Sequence, residues 1–131
     1  MSITLTIRDE TVSGKMTNEL VLDFLTEEIT VRELIHSRVY QEVKDYNLRQ
    51  PQQYRGLVKP TGAEEALNGY RMKKPRQIDF KQQFDKAIEA FEAGQILILV
   101  DDKQADSLEQ SIRITPGTDI AFLRLTLLVG G

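Results

Sequence analysis

Asp119-Ile120-Ala121-Phe122-Leu123-Arg124-Leu125-Thr126-Leu127-Leu128-Val129-Gly130-Gly131 is the stretch that decides the fold. Between Ile120 and Val129 only Arg124 and Thr126 are polar. The segment therefore predicts a strand that sits centrally in a sheet rather than at an edge. A strand period of two puts Ile120, Phe122, Arg124, Thr126 and Leu128 on one face, opposite Leu123, Leu125, Leu127 and Val129. The start of the chain holds a second strand pattern. Over residues 2–8, Ile3, Leu5 and Ile7 alternate with Thr4 and Thr6, the pattern of a half-buried strand. Ser13-Gly14 marks a turn. Leu20, Leu22 and Phe24 then alternate with Val21, Asp23 and Leu25, which completes a predicted hairpin.

Thr30-Val31-Arg32-Glu33 is a capping box and opens a helix. Val31, Leu34, Ile35, Val39, Val43 and Tyr46 follow as one apolar stripe, and the helix should fade near Asn47, before Pro51. Residues 48–78 hold three of the four prolines and read as an irregular inserted loop. Within it, Thr61-Gly62-Ala63-Glu64 can cap one short helix ending at Gly69. Asp79, three residues before Gln82, opens a second helix. Its stripe of Phe80, Phe84, Ile88 and Phe91 is read as core, and Gly94 stops it. Ile96–Val100 is a short apolar run predicted to be a strand buried on both faces. Ile112 and Ile114 suggest a short strand, and Thr115-Pro116-Gly117-Thr118 a turn. The whole reads as one α+β domain over residues 1–131, with an insertion at about 48–95.

Cysteine is absent and His36 is the one histidine, so a thiol nucleophile and a Cys-ligated metal or cluster are excluded. His36 falls inside the helical pattern and reads as a solvated or edge-packed residue. No Gly-rich phosphate loop and no Ser-His-Asp arrangement appears, so an enzyme is not expected. The start, Met1-Ser2-Ile3-Thr4, lacks the features of a signal peptide, and no apolar run is long enough to span a membrane; a cytoplasmic location is the default expectation. Net charge is −3, but residues 48–78 hold seven basic side chains against Glu64 and Glu65. That segment carries +5 and the remainder −8. It reads as a solvated loop, with nucleic acid not expected as a partner; the competing reading is a nucleic-acid adaptor working through Arg71 to Arg76.

The order of hairpin, helix, inserted segment and helix, strand, short strand, final strand and Gly-Gly resembles the ubiquitin-like β-grasp fold. Thr30-Val31-Arg32-Glu33-Leu34-Ile35 looks like the start of the helix in such proteins. The run from Ile114 through Phe122 to Leu128-Val129-Gly130-Gly131 is similar to the closing strand of bacterial ubiquitin-like sulfur carriers, namely the small subunit of molybdopterin synthase and the thiamine-pathway carrier. The resemblance covers about 85 residues and leaves out the middle of the chain. It implies a mixed sheet of four to five strands, the first and last parallel, with a covering helix. It also implies a carrier or protein modifier whose attachment residues are Gly130 and Gly131. A partner adenylating enzyme, which would bring its own ATP, would activate the Gly131 carboxylate for sulfur transfer or conjugation. An isopeptidase or a sulfur-acceptor protein would be a further partner, and the chain itself would need no cofactor and no metal. Phe122, Arg124 and Leu128 are the candidate partner-binding residues, provided the insertion does not fold over their face. The alternative is a non-covalent β-grasp protein-binding module.

Overall fold

The computed structural model describes residues 2–66, 69–74 and 76–125. Strand β1 (Ile3–Glu10) and strand β2 (Met16–Phe24) form the predicted hairpin, with Ile3 opposite Phe24, Asp9 opposite Asn18, and a bulge between Asp9 and Glu10. Gly14 takes a φ of +91° in the connecting turn, a conformation that suits glycine. A short strand β3 (Glu28–Thr30) leads into helix α1 (Val31–Arg49). The capping box forms in full. The Thr30 hydroxyl accepts from the Glu33 amide, and the Glu33 carboxylate accepts from the Thr30 amide, each at 3.1 Å. The buried face of α1 is the predicted stripe with one addition, Arg38.

After the inserted region and helix α2 (Phe80–Glu92), the chain returns as β7 (Ile96–Val100) and β8 (Lys103–Gln104). Asp101 and Asp102, at φ of 50° and 68°, join these two, as a tight hairpin requires. Strand β9 (Ser111–Arg113) pairs with β3, and β10 (Ile120–Arg124) is the last strand described. The main sheet has the order β2-β1-β10-β7-β8. Strands β1 and β10 run parallel, with Ile7 opposite Ile120 and Asp9 opposite Phe122; the remaining pairs are antiparallel. The protein is thus α+β, built on a mixed five-stranded sheet. Leu5, Ile7, Leu22, Phe24, Ile98, Ile120 and Phe122 of the sheet form one buried cluster with Leu34 and Ile35 of α1.

The inserted region is not an irregular loop. Strands β4 (Gln53–Tyr54), β5 (Ala63–Ala66) and β6 (Gly69–Met72) make a second antiparallel sheet in the order β4-β6-β5. Tyr54, Leu57, Ala63, Met72 and Ile78 join the buried core. The short helix predicted from Thr61 is replaced by strand, because Gly62 turns the chain at a φ of +79°. Gly56 has a steric reason: a Cβ there would lie 2.1 Å from a ring carbon of the buried Tyr54. Asn47 of α1 clamps the end of the insertion. Its side chain accepts from the Ile78 amide at 2.8 Å and donates to the Ile78 carbonyl at 3.0 Å.

Two burial readings also change. On α2 the buried residues are Gln83, Ala87 and Ala90, while Phe80, Phe84, Ile88 and Phe91 are only partly buried. The small alanines let the helix backbone approach closely, which leaves the aromatic rings at its flank. There Phe80 and Phe84 meet His36 edge-on at 5.0 and 5.2 Å, so His36 is edge-packed. In β7, Ile96 and Ile98 are buried but Leu97, Leu99 and Val100 are half-buried, so one face rather than both is enclosed. Of the predicted last strand, residues 126–129 lie outside the described residues.

Leu34→Ala is expected to cost about 2–5 kcal/mol in urea denaturation, as a fully buried core truncation. Gly56→Ala is expected to cost about 1–3 kcal/mol because the Tyr54 ring must move; a loss near zero would show that the close approach is not needed.

Candidate functional site at the end of the last strand

One charged group sits at the junction of the two sheets and α1. Arg38, 0% exposed, donates from Nη2 to Asp9 Oδ2 at 2.6 Å and from Nε to Glu42 Oε2 at 2.8 Å. Its guanidinium carbon lies 4.6 Å from the centre of the Phe122 ring. The other oxygen of Glu42 accepts from the Leu57 amide at 3.1 Å, so the network reaches into the insertion. Burial opposes the Arg38 charge, but Glu42 and Asp9 outweigh it and hold the group above its ordinary value. Burial pushes the Glu42 carboxyl up, against the opposing pull of Arg38.

This network corrects the place given to Phe122. Phe122 is 0% exposed and faces α1, so it is core and not a partner-binding residue. Arg38 lies over its ring, and Phe122 shares one buried cluster with Tyr54 and Leu57 of the insertion. The signal was available in β1: Asp9 continues the inward series Leu5, Ile7, and an inward carboxylate demands a cation. Arg124 lies on the same face one step further along the strand. It is half-buried, and its Nη1 is 3.3 Å from the Tyr70 hydroxyl and 3.5 Å from the Gly56 carbonyl. Arg124 is thus engaged by the insertion. Burial pushes the Tyr70 phenol up, partly offset by Arg124. Leu125 closes the described part of the strand, its amide donating to Gln95 at 2.8 Å. Leu128, Gly130 and Gly131 lie outside the described residues.

A cleft of about 360 Å³ opens beside Arg124, lined by Leu57, Tyr70, Lys59, Lys86 and Gln95 among others. Elsewhere in the interior, the Tyr54 hydroxyl and the Gln83 amide oxygen are buried with no hydrogen-bond partner among the described residues. On the opposite face of the sheet, Leu97, Leu99 and Leu123 are half-buried. Register places Leu123 opposite Leu97, and Ala121 opposite Leu99. This outward apolar strip ends at Arg8, which donates from Nη2 to Asp119 at 2.9 Å. Arg8 holds the Asp119 carboxyl below its ordinary value. Sequence alternation had separated these two faces; only the position of α1 says which is open.

Among the described residues no cluster of His, Cys, Asp and Glu is arranged to hold a metal, and no helix is long and apolar enough to cross a membrane. Comparison with protein-family models, with curated proteins and with solved structures gave no match.

Arg38→Met is expected to cost about 3–5 kcal/mol at pH 7, because Asp9 and Glu42 lose their cation while remaining buried. Burial already pushes the Glu42 carboxyl up, and the variant removes the Arg38 pull that opposes it. The stability Glu42 contributes is then present below the ordinary carboxylate range and lost as pH rises through the raised value. The gap to the unsubstituted protein should therefore narrow as pH is lowered from 7 toward 5. Urea unfolding at the two pH values checks this, and an equal gap at both would contradict it.

Proposed function

We propose that the protein is a ubiquitin-like β-grasp carrier or modifier, not itself an enzyme, that works in the cytoplasm through Gly130-Gly131. The observation that carries this reading is the strand order β2-β1-β10-β7-β8, with β1 and β10 parallel and α1 packed on the sheet. That order, with the hairpin and the helix, supports the β-grasp reading, with an inserted sheet and helix between α1 and β7. In it the last strand leads into Leu128-Val129-Gly130-Gly131.

The chemistry follows from the terminal group. A C-terminal carboxylate has a pKa of about 3.5, so at neutral pH it is ionised and a poor electrophile. Activation requires its oxygen to attack the α-phosphorus of ATP on a partner enzyme, which releases pyrophosphate and leaves an acyl-adenylate. A sulfur or amine nucleophile then attacks the carbonyl carbon and expels AMP. ATP belongs to the partner, so the chain needs no cofactor of its own. Glycine suits the position because it has no Cβ to crowd a narrow channel or the reacting carbonyl. The body offers the partner a surface in the outward strip of Leu97, Leu99 and Leu123. That same strip favours a second reading, a non-covalent protein-binding module.

Deletion of Gly130 and Gly131 separates the two readings. Two terminal glycines bury little apolar area, so the urea midpoint should stay nearly unchanged. ATP–pyrophosphate exchange with the activating enzyme of the host should nevertheless be abolished, since the reacting carboxylate moves to the β-branched Val129. An unfolding loss like that of a core variant would make the glycines structural. Absence of exchange with the intact chain would leave the binding module as the better account.

A further inference from the structure

The inserted sheet carries a surface of its own, away from the last strand. On its outer face Arg71 of β6 stands between Gln53 of β4 and Glu64 of β5. The side chains of Gln53 and Arg55 lie over Gly69, whose missing Cβ leaves the face flat. Lys73 and Lys74 follow directly on β6. Arg55, Arg71, Lys73 and Lys74 are all exposed. Of these four, only Arg71 has a carboxylate of a described residue within ion-pair reach, Glu64 at 3.8 Å. Both side chains of that pair are at least half exposed, so it is weak and screened by salt.

We propose that this face binds the phosphate backbone of nucleic acid without reading its sequence. The folded sheet fixes Arg71 on this face, with Arg55 beside Gly69 and with Lys73 and Lys74 exposed just beyond the end of β6. Charges further away than a Debye length, about 8 Å at physiological salt, are largely screened. Residues 48–78 carry a local +5, and of the acids elsewhere in the chain Glu19 and Asp45 line the same cleft as Arg55 and offset part of it. The composition of the face selects the class of partner. Protein interfaces depend on buried aromatic or aliphatic anchors. Among the described residues the exposed large apolar side chains are Val12, Met16, Val21, Leu25, Tyr40 and Leu48, and none is on this sheet. Phosphate contacts need no such anchor. Without an exposed aromatic platform there is no stacking of bases, which is why no sequence preference is expected.

Fluorescence anisotropy of the full chain with a labelled mixed-sequence single-stranded RNA, and separately with a duplex DNA of equal length, tests the proposal. Binding in the micromolar to 100 micromolar range is expected at low salt, by the usual strength of non-specific contacts. With three to four phosphate contacts on a single strand, at a slope of about −0.7 each, affinity should fall roughly 20- to 50-fold from 50 to 200 mM salt. The variant Arg55→Glu/Arg71→Glu/Lys73→Glu should lose at least about tenfold of the affinity that remains at the lower salt. Its matched control is Lys15→Glu/Arg32→Glu/Arg113→Glu, which changes net charge equally at sites outside the inserted sheet and should retain most of the binding. Lys73→Glu/Lys74→Glu, beyond the end of β6, repeats the test should the triple variant fail to fold. No binding to either nucleic acid would overturn the proposal. So would equal losses in variant and control, which would reduce the effect to net charge. Tighter binding to a polyglutamate peptide than to RNA or DNA would also overturn it and assign the face to an acidic protein.

Discussion

The buried guanidinium of Arg38 is the constraint on which the other parts of the molecule converge. It joins β1 through Asp9, its own helix through Glu42, β10 through the ring of Phe122, and the insertion through the Glu42–Leu57 bond. Asp9 and Phe122 face each other in the parallel pair of β1 and β10, so one cation can bond the first and lie over the second. Leaving such a charge unpaired in the interior would cost several kcal/mol. The network therefore favours one register strongly. A slip of one residue would carry Asp9 to the outer face and leave Arg38 without a partner. The apolar stripe of α1 alone would tolerate small shifts along the sheet, because apolar burial is non-directional.

The same network explains why the inserted sheet is part of the core. Glu42 spends one oxygen on Arg38 and the other on the Leu57 amide. Tyr54 packs edge-on against Tyr46 of α1 at 5.6 Å, and Gly56 presses on the Tyr54 ring. Arg124 then ties the end of the last strand to Tyr70 and Gly56. The outward strip around Leu123 lies on the other face of the sheet, away from these contacts.

Much of this was legible in the sequence where the signal is local. Alternation gave β1 and β2, the Thr30–Glu33 box gave the start of α1, and the Thr115–Thr118 turn forms with its 3.0 Å bond. The parallel neighbours were also expected, from the resemblance to the β-grasp fold. What failed was non-local. A strand of two residues, such as β4, has no period to detect, and it pairs with β6 rather than with the nearer β5. Among the glycines that suggested a loop, Gly62 turns the chain at a positive φ, and Gly56 and Gly69 are close approaches. On α2 the conspicuous aromatic stripe drew attention from Ala87 and Ala90, although close helix approach is what small residues permit. Phe122 was misplaced because alternation defines two faces but does not say which one a helix covers. Gly130 and Gly131 were legible as a motif alone.

Intact mass spectrometry of the protein purified from its own host tests the carrier reading most directly. The account predicts a species in which one sulfur replaces one oxygen at the C-terminus, or adducts in which Gly131 is joined to another protein. A single unmodified mass under conditions where the host's activating enzyme is active would contradict it.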